Sequence, residues 1–400
     1  MLKNPYFSRQ KDVLFFGHQR RKLLEDGKWW DIYCDPIIEN LDRSYVLVET
    51  YHLYRHLTPP KTPNIKYLDF IVFLSYIRRK LRLVRISLTN DEKKLVKSIN
   101  DEIYSTFNTV YDVEYPIKKM LLIRRNLIPL FKRLLKRIRP RLVIVVVGYN
   151  RPVEALTEAS KDLNIPVIEL QHGVISKYNL GYSFPKLGRE KKCFADYLFA
   201  FGDFWKKNLE FPIDKDKVPS VGFPYLEKAK NKYSGVLKKN QILFISQGTI
   251  GNSLSKFAVE LSTNNQSNCN IVYKLHPGEY SRWKEIYPWL KNSNIRVIDT
   301  DHPPLHQLFG ESKIQIGVSS TAIFEGLYFG LRTYLIDLPD VEHMEDLIKA
   351  GIVDVVSSVE DLNRILLKED ESTKIDTETL FRNNAAKHIS DMINRLILKE

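Results

Sequence analysis

Cysteine is scarce and scattered in this 400-residue chain. Cys34, Cys193 and Cys269 are odd in number, far apart and never in a C-x-x-C pair. That pattern argues against a disulfide framework or a structural zinc site and fits reduced thiols. Glycine and proline are also few, at 17 and 19. With no internal repeat or low-complexity tract, the composition argues against a disordered or fibrous chain. Long hydrophobic runs are missing. The longest, residues 70–74 and 142–147, fall far short of the roughly 18 residues that cross a bilayer. The N-terminus shows no basic stretch followed by an apolar one, so no signal peptide is expected. Acidic residues are thin in the first third. Residues 1–141 hold 29 Lys/Arg against 15 Asp/Glu, a net +14, whereas residues 142–400 hold 32 against 33, a net −1. A basic block of this kind suits a nucleic acid, an anionic membrane surface or an anionic ligand.

Hydrophobic residues make up 44% of the chain, enough for a core in each of two domains of ordinary length. From residue 142 onward, short apolar runs alternate with helical periodicity. Strands are expected at 142–147, 167–170 and 197–201, with helices at 152–163 and around 205–209. This alternation implies βαβ units and a parallel sheet. Residues 212–239 break the rhythm with Pro212, Pro219, Gly222, Pro224 and seven lysines, and read as an interdomain linker. Strands resume at 241–245, 271–275, 295–298, 314–318 and 333–336, with helices near 254–261, 283–290, 305–309, 322–329 and 344–350. A final helix is expected over 380–398. In the first third, strands are expected at 13–16, 29–34 and 45–49. A long helix over 115–138 carries apolar Met120, Leu127, Phe131, Leu134 and Leu135. Its other face is basic: Lys118, Lys119, Arg124, Arg125, Lys132, Arg133, Lys136 and Arg137.

Ligands of open α/β sheets bind beyond the carboxyl ends of strands, and polar motifs follow several of these strands. Gln171-His172-Gly173 follows 166–170, where His172 could take a proton from an acceptor hydroxyl. Gln247-Gly248-Thr249 follows 241–245, and its glycine allows a backbone to approach phosphate. His276-Pro277-Gly278 follows 271–275, and an imidazole there suits a leaving phosphate. Ser319-Ser320-Thr321 follows 314–318 and opens a helix, where hydroxyls, free N–H groups and the dipole favour an anion. Glu325, one turn on, could accept both hydroxyls of a ribose. Glu25-Asp26-Gly27 is an acidic-acidic-Gly triplet whose flanks read as a β-turn between strands, with a catalytic role as the alternative reading. Asp35, Asp69 and Asp101 each stand alone, outside any Asp-x-Asp pair, and none of them suits a metal-bound diphosphate.

Taken in order, three of these motifs resemble a superfamily of bacterial capsule and teichoic-acid enzymes. It includes CDP-glycerol and CDP-ribitol polymerases, bacterial sialyl- and polysialyltransferases, and Kdo transferases. His172-Gly173 is similar to the Trp-His-Gly form of the teichoic polymerases. Lys274-Leu275-His276-Pro277 resembles the His-Pro motif, and Ser319-Ser320-Thr321 with Glu325 resembles the Ser/Ser-Thr motif. The likeness covers about residues 142–340. Acidic residues are missing at 171 and 172, so a carboxylate base does not carry over. The basic first 141 residues match no motif of the superfamily.

The resemblance implies an α/β fold of the GT-B kind: two Rossmann-like, doubly wound domains facing a cleft, with the C-terminal helix returning to the first domain. The expected limits are 1–225 for the acceptor-side domain, 226–378 for the nucleotide-sugar domain, and 379–400 for the returning helix. It implies an inverting, metal-independent glycosyltransferase of surface polysaccharide synthesis (capsule or lipopolysaccharide), with a lean to a CMP-sugar donor. His172 and His276 would be catalytic. Gln247, Gly248, Thr249, His276, Pro277, Ser319, Ser320, Thr321 and Glu325 would bind the donor, with Gln171 and Gly173 on the acceptor side. No cofactor and no metal are expected, since the nucleotide-sugar is itself the substrate. Expected partners are that donor, a glycan or lipid-linked glycan acceptor, and an anionic membrane surface, but not nucleic acid. The expected place is the cytoplasm, peripheral on the inner face of the membrane. Docking there is expected through the 115–138 helix or the segment 78–85. Competing functions are polyol-phosphate transfer, a nucleotide-sugar 2-epimerase, and nucleic-acid binding. The epimerase would want Ser-Gly-Gly where this chain has Ser319-Ser320-Thr321. Nucleic-acid binding would want aromatics among the basic residues of 115–138, which hold only Phe131 internally.

Overall fold

Short apolar runs rich in Val, Ile, Leu and Phe build two parallel sheets, as buried parallel strands demand. The computed structural model describes residues 3–183, 191–207, 209–264, 266–367 and 376–398. The first sheet contains β1 (Val13–Phe16), β4 (Tyr45–Glu49), β5 (Ile65–Tyr67), β6 (Leu142–Val146), β7 (Val167–Leu170) and β8 (Tyr197–Phe199). Their order is β5-β4-β1-β6-β7-β8, and every pairing is parallel. A separate antiparallel hairpin joins β2 (Arg21–Leu23) to β3 (Trp29–Asp31). Its turn is the Glu25-Asp26-Gly27 triplet, with Gly27 at φ +74°. The second sheet holds β9 (Gln241–Ile245), β10 (Asn270–Lys274), β11 (Arg296–Ile298), β12 (Ile314–Gly317), β13 (Arg332–Ile336) and β14 (Asp354–Val356). It runs β11-β10-β9-β12-β13-β14, again all parallel.

Each sheet therefore grows outward in both directions from its first strand. The chain reverses its direction of growth between β1 and β6 in one sheet and between β9 and β12 in the other. A crevice opens at such a reversal, beyond the carboxyl ends of the strands. This is the two-domain GT-B architecture expected from the motifs.

The helices in chain order are α1 (Asp35–Ile38), α2 (Asp69–Lys80), α3 (Asn90–Phe107), α4 (Glu114–Ile138), α5 (Arg151–Lys161), α6 (Pro224–Tyr233), α7 (Gly251–Thr263), α8 (Trp283–Ile286), α9 (Leu305–Glu311), α10 (Thr321–Tyr328), α11 (Glu345–Lys349), α12 (Val359–Leu366), α13 (Thr377–Leu380) and α14 (Ala385–Leu398). The long helix α4 keeps Pro129 inside it. It buries Leu127, Leu130, Phe131, Leu134 and Leu135 against the first sheet and α5. Met120, expected on that apolar face, is 43% exposed, because the buried stretch begins only at Asn126.

Several elements depart from the sequence expectation for local reasons. The 29–34 strand stops at Asp31, whose carboxylate accepts from the Tyr33 and Cys34 N–H groups and turns the chain. The linker 212–239 carries α6, started by Pro224 at the first helical position. The 380–398 helix is broken. Phe381 leaves the helix to join a cluster with Phe201, Trp205 and Tyr328. The chain restarts at Asn384, whose N–H and that of Ala385 donate to the Glu227 carboxylate on α6. α14 then returns to the first domain, burying Ile389, Ile393 and Ile397 beside α1 and β6.

The two domains share apolar surface near that break. Trp205 of the first packs on Phe324 of the second at 4.4 Å between centroids, and its indole N–H donates to Leu380. Gly222, at φ +90°, is needed there because a Cβ would lie 2.1 Å from the Arg382 carbonyl oxygen. One continuous core runs from β1 through this joint to α10 and α14.

Candidate active site

Three donor-side motifs end three adjacent strands. β10, β9 and β12 are neighbours in that order, so their exits are spaced by roughly 4.8 Å each. His276 leaves β10, Gln247 leaves β9 and Ser319 leaves β12. Gln247 bridges the reversal point: its amide oxygen accepts from Ser319 N at 3.0 Å and its amide nitrogen donates to Ser319 Oγ at 3.2 Å. Beside it, Gly248 faces open space, and both Gly248 and Thr249 are exposed. Ser320 caps α10 by accepting from Ala322 N. The helix N-terminus, with Ser319, Ser320 and Thr321 only partly covered, is of a kind that favours negative charge.

His276 is exposed, and Pro277 starts a tight turn. The ring Nδ1 accepts from Gly278 N at 3.1 Å. That bond places the ring proton on Nε2, so the neutral ring presents a donor outward. Its own N–H donates to Glu279, a fully buried carboxylate that also accepts from Ser246 and Tyr287. The His276 turn is thereby locked before any ligand arrives. Glu325 is half-buried, and its carboxylate lies 3.1 Å from His306 Nε2.

On the opposite domain, β1, β6 and β7 are also neighbours, and His18, Tyr149 and His172 follow them. The His172 ring bonds at both nitrogens. Nε2 lies 3.1 Å from Tyr149 Oη, and Nδ1 lies 3.2 Å from Tyr182 Oη. Tyr182 donates its only proton to Glu169 at 2.5 Å. Its oxygen must then accept from His172 Nδ1–H, which leaves Nε2 as the basic nitrogen. Glu169 also accepts from Gly148 N at 2.7 Å. Glu169 and Tyr182 are each 1% exposed. Burial pushes the Glu169 carboxyl up to about 7, against its two hydrogen bonds. Burial holds His172 down at about 3, helped by His18 and Arg20, so the ring is neutral at physiological pH.

The loop after β1 is braced from beneath. Asp31 accepts from His18 N, and Arg21 pairs with Glu49 in the interior. Arg20 donates to Tyr33 at 3.1 Å, and Tyr33 donates to the His172 carbonyl at 2.8 Å. Burial also depresses His18, to about 4. After β6, Val147 sits at φ +59°, a left-handed conformation costly for a β-branched residue. Gly148 and Tyr149, which follow it directly, bond to Glu169 and His172.

The expected residues thus fall on two facing walls. Gly173 stands against Thr321, with an added Cβ reaching only 3.5 Å from its Oγ1. The Arg20 guanidinium is held charged by Tyr33 first and also by Glu325 across the cleft. A cavity of about 400 Å³ adjoins this line, bounded by Ser176, Asn179, Ser319 and His343. Gln171, expected on the acceptor side, instead spends both ends of its amide on Phe201 N and the Gly173 carbonyl and is 1% exposed. It shapes the β7 exit rather than facing a ligand. Sequence reasoning missed His18, Arg20, Tyr149, Glu169, Tyr182 and His306. Gly17-His18 at a strand exit was a usable signal, whereas Tyr182 had none. Among the described residues, no three His, Cys, Asp or Glu side chains are grouped to hold a metal ion.

No protein-family model matches this sequence, and none of the curated proteins does. Solved structures do resemble it. The UDP-GlcNAc 2-epimerase of Methanocaldococcus jannaschii, in complex with UDP-GlcNAc and UDP, is 14% identical. The match covers 97% of this chain and 99% of that one with a TM-score of 0.53. The UDP-GlcNAc 2-epimerase of Neisseria meningitidis, bound to UDP-GlcNAc, is 17% identical over 96% and 99%, also at 0.53. The wall teichoic acid polymerase TagF, soaked with CDPG, is 11% identical over 97% and 89% at 0.51. At such identities the likeness is one of architecture, and that architecture is two parallel-sheet, Rossmann-like domains of the GT-B fold.

Proposed function

We propose that this chain is an enzyme that transfers a sugar from a nucleotide-activated donor to a hydroxyl of a glycan acceptor, inverting the anomeric carbon and using no metal. The observation that carries this reading is the pairing across the cleft. One wall offers a neutral histidine with Nε2 as its free base. The other offers a helix N-terminus rimmed by hydroxyls and an outward imidazole N–H.

In this reading the donor phosphates lie against Ser319, Ser320 and Thr321, with His276 Nε2–H as a further donor. Gly248 and Thr249 leave room for the phosphate or sugar. Glu325 turns to the ribose, and His306 keeps its carboxylate oriented. His172 Nε2 replaces its Tyr149 contact with the acceptor hydroxyl and takes that proton. The acceptor oxygen attacks the anomeric carbon from the face opposite the nucleotide. The bond to the phosphate oxygen breaks, and its electron pair leaves with the nucleotide. The hydrogen bonds on the donor wall strengthen as that charge develops, which is how such donors lower a barrier. The same wall would serve polyol-phosphate transfer, with attack on phosphorus, and the TagF likeness supports that alternative. The motif resemblance leans to a cytidine-activated donor.

A 2-epimerase is the second reading, supported by the 2-epimerase folds that match nearly the whole chain. It needs no acceptor but must break and re-form the C2–H bond. One experiment separates the readings. CMP-, CDP-, UDP- and GDP-activated donors, including UDP-GlcNAc and CDP-glycerol, are incubated in deuterated water with excess EDTA, with and without glycan acceptors. Acceptor-dependent release of nucleotide supports transfer. Deuterium at C2 without an acceptor would establish epimerisation, and activity only after Mg²⁺ or Mn²⁺ is restored would end the metal-free mechanism.

A further inference from the structure

Thirteen of the twenty-five large hydrophobic side chains that are exposed among the described residues fall within residues 70–120, about an eighth of the chain. They lie on α2, α3, the start of α4 and the loops between. Phe73 is 56% exposed, Phe107 71% and Tyr115 67%. α3 has a full capping box and eighteen residues, yet Val96 alone is buried. Its apolar stripe, Leu95, Ile99 and Phe107, faces solvent. Exposure concentrated in one stretch of the chain in this way suits an interaction surface. The same stretch carries ten Lys/Arg against six Asp/Glu. Lys80 and Lys119 lie over the rings of Tyr76 and Tyr115.

The basic face of α4, which the sequence offers for membrane docking alongside the segment 78–85, is only partly engaged within the molecule, and Arg125, Lys136 and Arg137 stay exposed. Arg124 pairs with Glu158 and Lys132 with Asp162, both at 2.7 Å, and Arg133 lies over Tyr6. The larger apolar exposure lies on the neighbouring surface, which includes the segment 78–85.

We propose that the exposed aromatic and basic face of α2, α3 and the first turns of α4 docks on an anionic bilayer surface. Aromatic rings settle at the headgroup level, and flanking Lys and Arg extend toward the lipid phosphates. A bilayer fits better than a second copy of the chain, because ten basic against six acidic residues leave each such face a net +4, which repels its own copy and attracts an anionic surface. The topology adds a use. α4 ends where β6 begins, so its first turns point to the carboxyl edge of the sheet. His18, Tyr149 and His172 leave the sheet at that edge. A bilayer held there brings a lipid-borne acceptor to the cleft. The docking surface itself does not depend on which reaction the cleft performs.

The test is co-sedimentation of the full chain with vesicles of phosphatidylcholine alone or doped with phosphatidylglycerol. At low salt the bound fraction should favour the anionic vesicles at least about tenfold and fall as salt rises. Phe73→Ser, Phe107→Ser and Tyr115→Ser together should abolish binding while the melting temperature of the protein is retained. If that variant fails to fold, the charge-reversed Arg82→Glu, Arg85→Glu, Lys119→Glu protein is the substitute, since all three side chains are exposed. Equal binding to both vesicles, or none, overturns the proposal. So does a wild-type dimer in sedimentation velocity that the same substitutions dissolve, which would assign the face to a second copy.

Discussion

Glu169→Gln tests whether His172 owes its basic nitrogen to the residues behind it. The chain of bonds runs from Glu169 through Tyr182 to His172 Nδ1. When Glu169 is ionised, Tyr182 donates to it and accepts from Nδ1–H, so Nε2 is free to act as base. When Glu169 is protonated, it can donate to Tyr182, which then turns its proton toward Nδ1 and moves the ring proton to Nε2. The base is lost in that state. Burial sets the Glu169 midpoint at about 7. Its ionised fraction therefore rises from about one-tenth at pH 6 to about nine-tenths at pH 8, and kcat/KM should rise roughly tenfold over that span. His172 itself does not titrate there, because burial keeps it near 3. Glutamine retains the one oxygen that both Tyr182 and Gly148 use, since both bond to Oε1, but it cannot ionise. The variant should keep activity at pH 8 within about tenfold and lose the acid limb, varying less than about twofold from pH 6 to 8. The assay is nucleotide release against pH, with thermal unfolding as the check on folding. Tyr182→Phe, which breaks the chain, should lower activity at every pH. A Glu169→Gln enzyme that keeps its tenfold limb near pH 7 would refute the relay, since the titrating group would then lie elsewhere.

Other substitutions probe the two walls. His276→Ala should lower kcat by roughly 10² to 10³ without unfolding the protein, the usual loss for one hydrogen-bond donor to developing charge; turnover within twofold of the parent would remove it from the mechanism. Glu325→Ala should weaken nucleotide affinity more than kcat, because a ribose contact is made in ground and transition states alike. Calorimetry showing unchanged affinity would end that assignment. Arg21→Ala should destabilise the protein by about 3–5 kcal/mol in denaturant titration, since it strands Glu49 and Asp31 in the interior. A loss below about 1 kcal/mol would show that water enters the cluster.

The parts of this fold legible in the sequence were those written locally. Runs such as Leu142–Val146 are short, apolar and β-branched, as buried strands are, and the polar residues after them lie at the edge where open α/β sheets bind ligands. The order of strands was not legible, yet it makes Gln247 and Ser319 partners across a reversal point. β5, α2 and α3 escaped notice because the basic charge of the first third obscured their periodicity, and α3 has almost no buried face to produce one. Tyr182 reaches His172 through a loop, a contact that no spacing rule encodes. Glu169, inside Val-Ile-Glu-Leu, reads as the outward residue of a strand, but the next layer covers it. The broken C-terminal helix follows the same logic: Phe381 gains more from the interdomain aromatic cluster than from continuing a helix.

The N-domain wall carries costs that packing alone would remove. Glu169 is raised to about 7 from an ordinary value near 4.5, so its contribution to stability is present below that value and is lost as pH rises through 7. His172 and His18 are depressed to about 3 and 4, so their contribution is present above about 6.5 and is lost as pH falls. No pH satisfies all three groups. Val147 adds backbone strain one residue away. An apolar side chain in place of Glu169 would spare the interior an ionisable group, yet it would leave Tyr182 and Gly148 without their acceptor and His172 without a fixed tautomer. Buried ionisable groups and left-handed backbone thus coincide at the reversal point of the first sheet, on the wall that faces the second domain. That coincidence supports the proposed role of this wall as a functional site.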